Sequence, residues 1–212
     1  MAAIFNSGGM LSLLLLLSYL LSLALTQQMQ SSEQHYNKIS QYPERQFRSI
    51  QPIVFFSAYT PFLLIYALQA DSPVRLLCSM LFLLFLVYIS LLDFRQEIIP
   101  DRLLGKFLFL ILLAFPLSPR TLADASLGGL AGFSLMLCLS LLTKGAIGGG
   151  DIKLLFALGF WLGTSQLLLL LTGGFLLGGV TALFLLITKK KKQTDCFAYG
   201  PYFCLMAALL SL

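Results

Sequence analysis

The sequence predicts an all-α fold, a polytopic transmembrane bundle of about eight spans with a pair of aspartates at its cytoplasmic side. Three observations carry that expectation. Of the 212 residues 58% are apolar and 11% charged, whereas soluble domains run near half apolar and about a quarter charged. The apolar residues fall in runs long enough for spans of about 20 positions. The basic residues sit in short polar stretches between those runs, which reads as topology signalling rather than nucleic-acid binding despite a net charge of +5. A single integral-membrane domain over 1–212 is expected.

The first apolar run, Met10 to Leu25, is read as a span. No charge precedes Met10, and a secretory signal needs a basic n-region. Gln27 to Gln51 is a polar cytoplasmic loop containing the lone His35, a solvated loop residue. Pro52 to Gln69 and Val74 to Leu92 are the next spans, and the short Ala70-Asp71-Ser72-Pro73 link between them implies antiparallel neighbours. After an acid-bearing loop, Asp93 to Asp101, come spans from Arg102 to Leu117 and from Ala125 to Leu142, parted by the turn Ser118-Pro119-Arg120.

The glycine run Gly145-Ala146-Ile147-Gly148-Gly149-Gly150 then leads into Asp151. From Ile152 to Thr188 the chain offers 37 nearly unbroken apolar residues, too many for one span, and a division near Gly163-Thr164-Ser165 is expected. Lys189 to Lys192 forms a basic cluster, and Phe197 to Leu212 makes a short last span opened by Tyr199-Gly200-Pro201.

With eight spans, twelve of the 14 basic residues fall on one side and only Arg75 and Arg120 on the other, as the positive-inside rule requires. Leaving 152–188 undivided, or removing the first run, loses the asymmetry. Two spans separate Asp93 from Asp151, so both acids emerge on the cytoplasmic face.

An acid at a membrane edge is costly and usually faces a bundle interior or wet cavity where it serves a function. Two carboxylates brought together resist double ionisation and share one proton. The ionised member can then take a proton from water while the other polarises a scissile carbonyl, which is peptide hydrolysis without a metal. The catalytic candidates are therefore Asp93 and Asp151.

Gly148, Gly149 and Gly150 would allow close approach of an extended substrate chain, with backbone N–H groups to hold it. Asp101, after Pro100 and before Arg102-Leu103-Leu104, suits a helix N-cap. Lys153 either acts on Asp151 or answers the topology rule. The cysteines Cys78, Cys138, Cys196 and Cys204 lack Cys-x-x-Cys spacing and are expected to be buried thiols between helices, so no metal site is expected.

These residues resemble a known family, the type IV prepilin peptidases of the GxGD class of membrane aspartic proteases. The resemblance rests on Asp93 with Ile99-Pro100-Asp101, on Gly148-Gly149-Gly150-Asp151-Ile152-Lys153-Leu154-Leu155, and on Tyr199-Gly200-Pro201. It implies that Asp93 and Asp151 are the catalytic pair, supported by Gly148, Gly149, Gly150, Pro100, Asp101, Lys153, Gly200 and Pro201. It also implies a multi-pass protein of the bacterial inner membrane, whose substrate is a prepilin or pseudopilin with a basic leader, cut after a glycine at the cytoplasmic face.

Larger members carry a zinc-binding insertion with two Cys-x-x-Cys pairs after the first span, whereas Gln27 to Gln51 contains no cysteine. Many members also methylate the new N-terminus. S-adenosylmethionine is implied only for that second activity, to which the missing insertion lends no support. The alternative from another class is a small proton- or cation-coupled transporter relaying charge through Asp93 and Asp151.

Overall fold

Among the described residues the apolar runs become helices, and a glycine or proline lies at or near several of their ends. The computed structural model describes residues 73–145, 147–188 and 198–211, with isolated helical positions at 19, 20, 27, 60–62 and 64–66. The expected spans 10–25 and 52–69, the loop 27–51, the lysines 189–192 and Cys196 lie wholly or mostly outside the described residues. The chain divides into two compact units, Met1–Ser72 and Pro73–Leu212. The boundary falls in the short link before Val74, and the second unit carries every candidate site residue.

Helix α1, Pro73–Gln96, has no interior glycine or proline. It ends where Glu97 takes a left-handed φ of 54° while its N–H still donates to Asp93 O at 2.9 Å. The expected loop starting at Asp93 is thus corrected: the acid is still helical. Pro100, extended at φ −65° and ψ 133°, starts α2, Asp101–Ala114, which tightens into a 3-10 turn at Phe115–Leu117 around Pro116. Helix α3, Leu122–Leu142, is capped by Thr121, whose side chain accepts from the Asp124 N–H. Lys144 and Gly145, at φ 55° and 85°, end it. Helix α4 covers Gly149–Ile187 and α5 covers Gly200–Leu210, with Pro201 in the first turn of α5.

Helix α4 is two helices. Gly163, at φ 72° and ψ −179°, interrupts its 39 residues, a conformation that glycine adopts without strain. A straight helix would hold Leu155 and Leu167 about 18 Å apart. Yet a methyl placed on Gly132 of α3 would lie 2.8 Å from Leu155 O and 3.3 Å from Leu167 Cδ1. The chain therefore reverses at Gly163, and arms 149–162 and 164–187 run antiparallel.

Charged side chains close the reversal. Arg120 Nη1 donates to Trp161 O and Nη2 to Gln166 Oε1, both at 2.9 Å. Asp124 Oδ1 accepts from the Thr164 N–H at 3.2 Å and from the Thr164 hydroxyl. The arginine thus meets a carbonyl at the end of one arm and the aspartate meets an amide at the start of the next, as unpaired groups and dipoles at helix ends favour. Burial lowers the pKa of the Arg120 guanidinium, and Asp124 opposes that effect.

Glycines set the packing distances. Gly128 on α3 and Gly159 on α4 face each other so closely that a methyl on either would collide with the other's carbonyl oxygen. Small residues at four-residue spacing let membrane helices approach in this way. On the second arm, Gly174 receives the ring of Phe203, and a methyl on Gly178 would lie 2.8 Å from the Tyr199 ring. Helix α5 is thus antiparallel to that arm, with Trp161 Nε1 donating to Ser211 Oγ at 3.3 Å at its far end. Buried Phe82 of α1 stacks on Trp161 at 4.7 Å and on Phe107 of α2 at 5.6 Å, joining three helices in one apolar core.

Among the described residues three helices are long and apolar enough to cross a membrane: Val74–Phe94 within α1, α3 and α4. Two further expected spans coincide with shorter helices. Helix α2 has 14 residues and α5 has 11, and at 1.5 Å per residue each is shorter than a hydrocarbon core of about 30 Å. The cysteines also differ from expectation, since Cys204 is buried but Cys138 is exposed and Cys78 half-buried.

Candidate active site

Asp93 lies in the last turn of α1 and Asp151 in the first turn of α4, 58 positions apart in the chain. Both are buried, with 4% and 9% of their surface exposed. They lie close enough for their charges to act on one another and on the buried Cys204 thiol of α5. The fold therefore brings the two predicted acids together.

Each is held differently. Asp93 Oδ2 accepts from the Gly200 N–H at 2.9 Å, an amide at the start of α5 with no partner in its own helix. The absence of a side chain permits this contact, because a methyl on Gly200 would lie 2.5 Å from Asp93 Oδ2 and 3.0 Å from Cγ. Pro201 fixes the first turn behind that amide. Arg102, one residue beyond Asp101, is exposed. Asp151 Oδ1 is buried and has no hydrogen-bond partner among the described residues, an arrangement that is costly unless the oxygen meets a proton or a reactant.

The glycine run enters α4 directly. Gly148 is the N-cap, extended at φ −67° and ψ 145°, and Gly149 and Gly150 are already helical. A methyl on Gly150 would lie 3.0 Å from Ile99 Cβ, whereas one on Gly149 would touch nothing. The connection between α1 and α2 therefore rests on the first turn of α4, beside Asp151.

Asp101 and Lys153 pair with each other. Lys153 Nζ donates to Asp101 Oδ1 at 2.6 Å. This corrects the expectation that Asp101 is an N-cap: Pro100 holds that position, without a side-chain cap bond, and the Asp101 carboxylate reaches across to α4. The Lys153 ammonium is likewise engaged with Asp101. An apolar groove of about 510 Å³, lined by Gly105, Leu108, Leu130 and Phe156, adjoins this ion pair. It lies on the face of α4 opposite Asp151, because positions two, five and six residues on from Asp151 point away from it at 100° per residue.

Among the described residues no group of three or more His, Cys, Asp or Glu is placed to hold a metal. Sequence reading missed the Arg120–Asp124 closure and the glycine contacts that hold the acid-bearing arm in place. The four-residue spacings Gly128/Gly132, Gly159/Gly163 and Gly174/Gly178 were the available signal.

Residues 80–183 match the model of the type IV leader peptidase family, a stretch that contains Asp93, Asp101, Asp151 and Lys153. Through that segment the chain is similar to the type IV leader peptidase family. Similar proteins named prepilin leader peptidase/N-methyltransferase include one from Bacillus subtilis (strain 168), 36% identical over 90 residues, or 42% of this chain and 36% of that one. Another, from Aeromonas hydrophila, is 33% identical over 139 residues, 61% of this chain and 47% of its own. A third, from Escherichia coli (strain K12), is 31% identical over 107 residues, 48% of each. The chain spans about half or less of the length of these curated relatives. No solved structure matches. The leader peptidase family gives the transporter alternative no support.

Proposed function

We propose that this chain is a membrane-embedded aspartic endopeptidase that removes a basic leader from a type IV prepilin or pseudopilin. The observation that carries the reading is the convergence of Asp93 and Asp151, two buried carboxylates from distant helices, inside the segment matched by the leader peptidase family. Asp93, oriented by the Gly200 N–H, and Asp151, with Oδ1 free to meet a reactant, share one proton. The ionised member takes a proton from water, the oxygen attacks the scissile carbonyl, and the protonated member donates to the carbonyl oxygen. Collapse of the tetrahedral species expels the amine, and the pair returns to its one-proton state.

In this reading the bundle has about eight spans in the inner membrane, with the acids on the cytoplasmic side. Support comes from the charge pattern: Arg120 caps the reversal at Gly163, the end of α4's first arm remote from Asp151, whereas Lys153 lies two residues from Asp151. Gly148 and Gly149 leave room for a substrate chain at the mouth of the site. S-adenosylmethionine enters only if the new N-terminus is also methylated.

The test is cleavage of a prepilin-like peptide by the purified full chain in detergent. Asp93→Asn and Asp151→Asn should each reduce the rate at least about 1,000-fold while thermal unfolding stays cooperative, because both acids are required for proton transfer. Full activity in either variant removes that residue from the reaction.

A further inference from the structure

We propose that the Asp101–Lys153 ion pair is a strap that sets the spacing of the two acids, which makes both residues positioning residues for the reaction proposed above and rests on that reading.

The start of α4 has little side-chain packing ahead of Asp151. Gly148, Gly149 and Gly150 have no side chains with which to pack, so the residues that lead into Asp151 depend on contacts made to them from other segments, whereas Ile152, Leu154 and Leu155 beyond it are buried. A methyl on Gly149 would meet nothing within 4 Å, and one on Gly148 would meet only Asp151 itself. Contacts from outside include the following, among the described residues. Ile99 lies against Gly150, Ser140 Oγ donates to Ile147 O at 3.1 Å, and Lys153 Nζ donates to Asp101 Oδ1 at 2.6 Å.

The ion pair joins the two segments that must agree in position. Asp101 opens α2, eight residues after Asp93, and Lys153 stands two residues after Asp151. Drawing Asp101 onto Lys153 holds Ile99 over Gly150, and Ile99 belongs to the short connection that leaves α1 immediately beyond Asp93. The strap therefore spans from the element bearing one acid to the element bearing the other, across the three glycines that lead into Asp151.

Exposure separates positioning from bulk stabilisation. The side chains of Lys153 and Asp101 are 51% and 71% exposed, and exposed pairs contribute little to folding because water screens them and their entropy opposes them. Removing the pair should leave the fold nearly unchanged while the acids lose their alignment, and small displacements of reacting groups cost large factors in rate.

The experiment uses the full chain in four forms: wild type, Asp101→Ala, Lys153→Ala, and the reversed pair Asp101→Lys with Lys153→Asp. With a prepilin-like peptide, each single variant should lose at least about tenfold in kcat with KM within about twofold. The reversed pair should recover at least about a third of the wild-type kcat.

A second readout is independent of activity. In a background with the four native cysteines replaced, Ile98→Cys and Gly149→Cys report the closeness of the α1–α2 connection to α4 through cross-linking by a short bifunctional reagent. Cross-linking should slow at least about threefold in each single variant and return in the reversed pair, since restoring the opposite charges restores the tether. Unchanged cross-linking in the single variants, or wild-type kcat in either, overturns the strap. If the wild type cleaves no prepilin-like peptide, the peptidase reading fails, and the cross-linking rates still decide the strap.

Discussion

Substituting alanine for Gly200 isolates the contact between the start of α5 and the acid on α1. The added methyl would lie 2.5 Å from Asp93 Oδ2 and 3.0 Å from its Cγ, well inside van der Waals contact, so the carboxylate must move off the Gly200 N–H that it now meets at 2.9 Å. A hydrogen bond to a charged group contributes roughly 1.5–3 kcal/mol. If that orientation is needed in the transition state, the loss corresponds to roughly 10- to 150-fold in kcat. The assay is single-turnover cleavage of a prepilin-like peptide by the purified variant, with thermal unfolding measured alongside. KM should hold, because the contact is to the proposed catalytic acid and not to the substrate. A folded Gly200→Ala protein whose kcat stays within about twofold of wild type would refute the claim that this amide orients Asp93.

Three further outcomes are expected. Gly159→Ala should lower the thermal midpoint by about 2–12 °C, since overpacking costs about 1–3 kcal/mol and here the obstacle is the Gly128 carbonyl; Gly105→Ala, with open space around it, should leave the midpoint unchanged or raise it slightly. Arg120→Ala should destabilise the reversal at Gly163 by roughly 1.5–3 kcal/mol through loss of the bonds to Trp161 O and Gln166, read as a lower midpoint and faster protease clipping near Gly163; Arg120→Lys should recover only part, because an ammonium lacks the planar fork that serves both acceptors. Addition of a strong chelator should leave the rate of peptide cleavage unchanged, because two carboxylates suffice for the chemistry.

Much of the site was legible from charge placed against an apolar background. Asp93 and Asp151 stood out because an acid at the edge of a long apolar run calls for a reason, and the excess length of 152–188 called for a break where Gly163 supplies one. The details that escaped depend on contacts between distant elements. Proline before Asp101 suggested a cap, but the carboxylate reaches Lys153 instead, and nothing local in the sequence signals a partner 52 residues away. Where α2 and α5 stop as regular helices was less legible, for another reason. Apolar composition alone does not distinguish a lipid-crossing helix from a shorter one buried against neighbours, as Phe107 and Phe203 are.

The second arm of α4 passes Tyr199 at Gly178 and continues for nine residues to Ile187, so it overtops the level of Gly200 and Asp93 by about 13 Å. On that side the two acids lie short of the end of that helix by roughly two and a half helical turns.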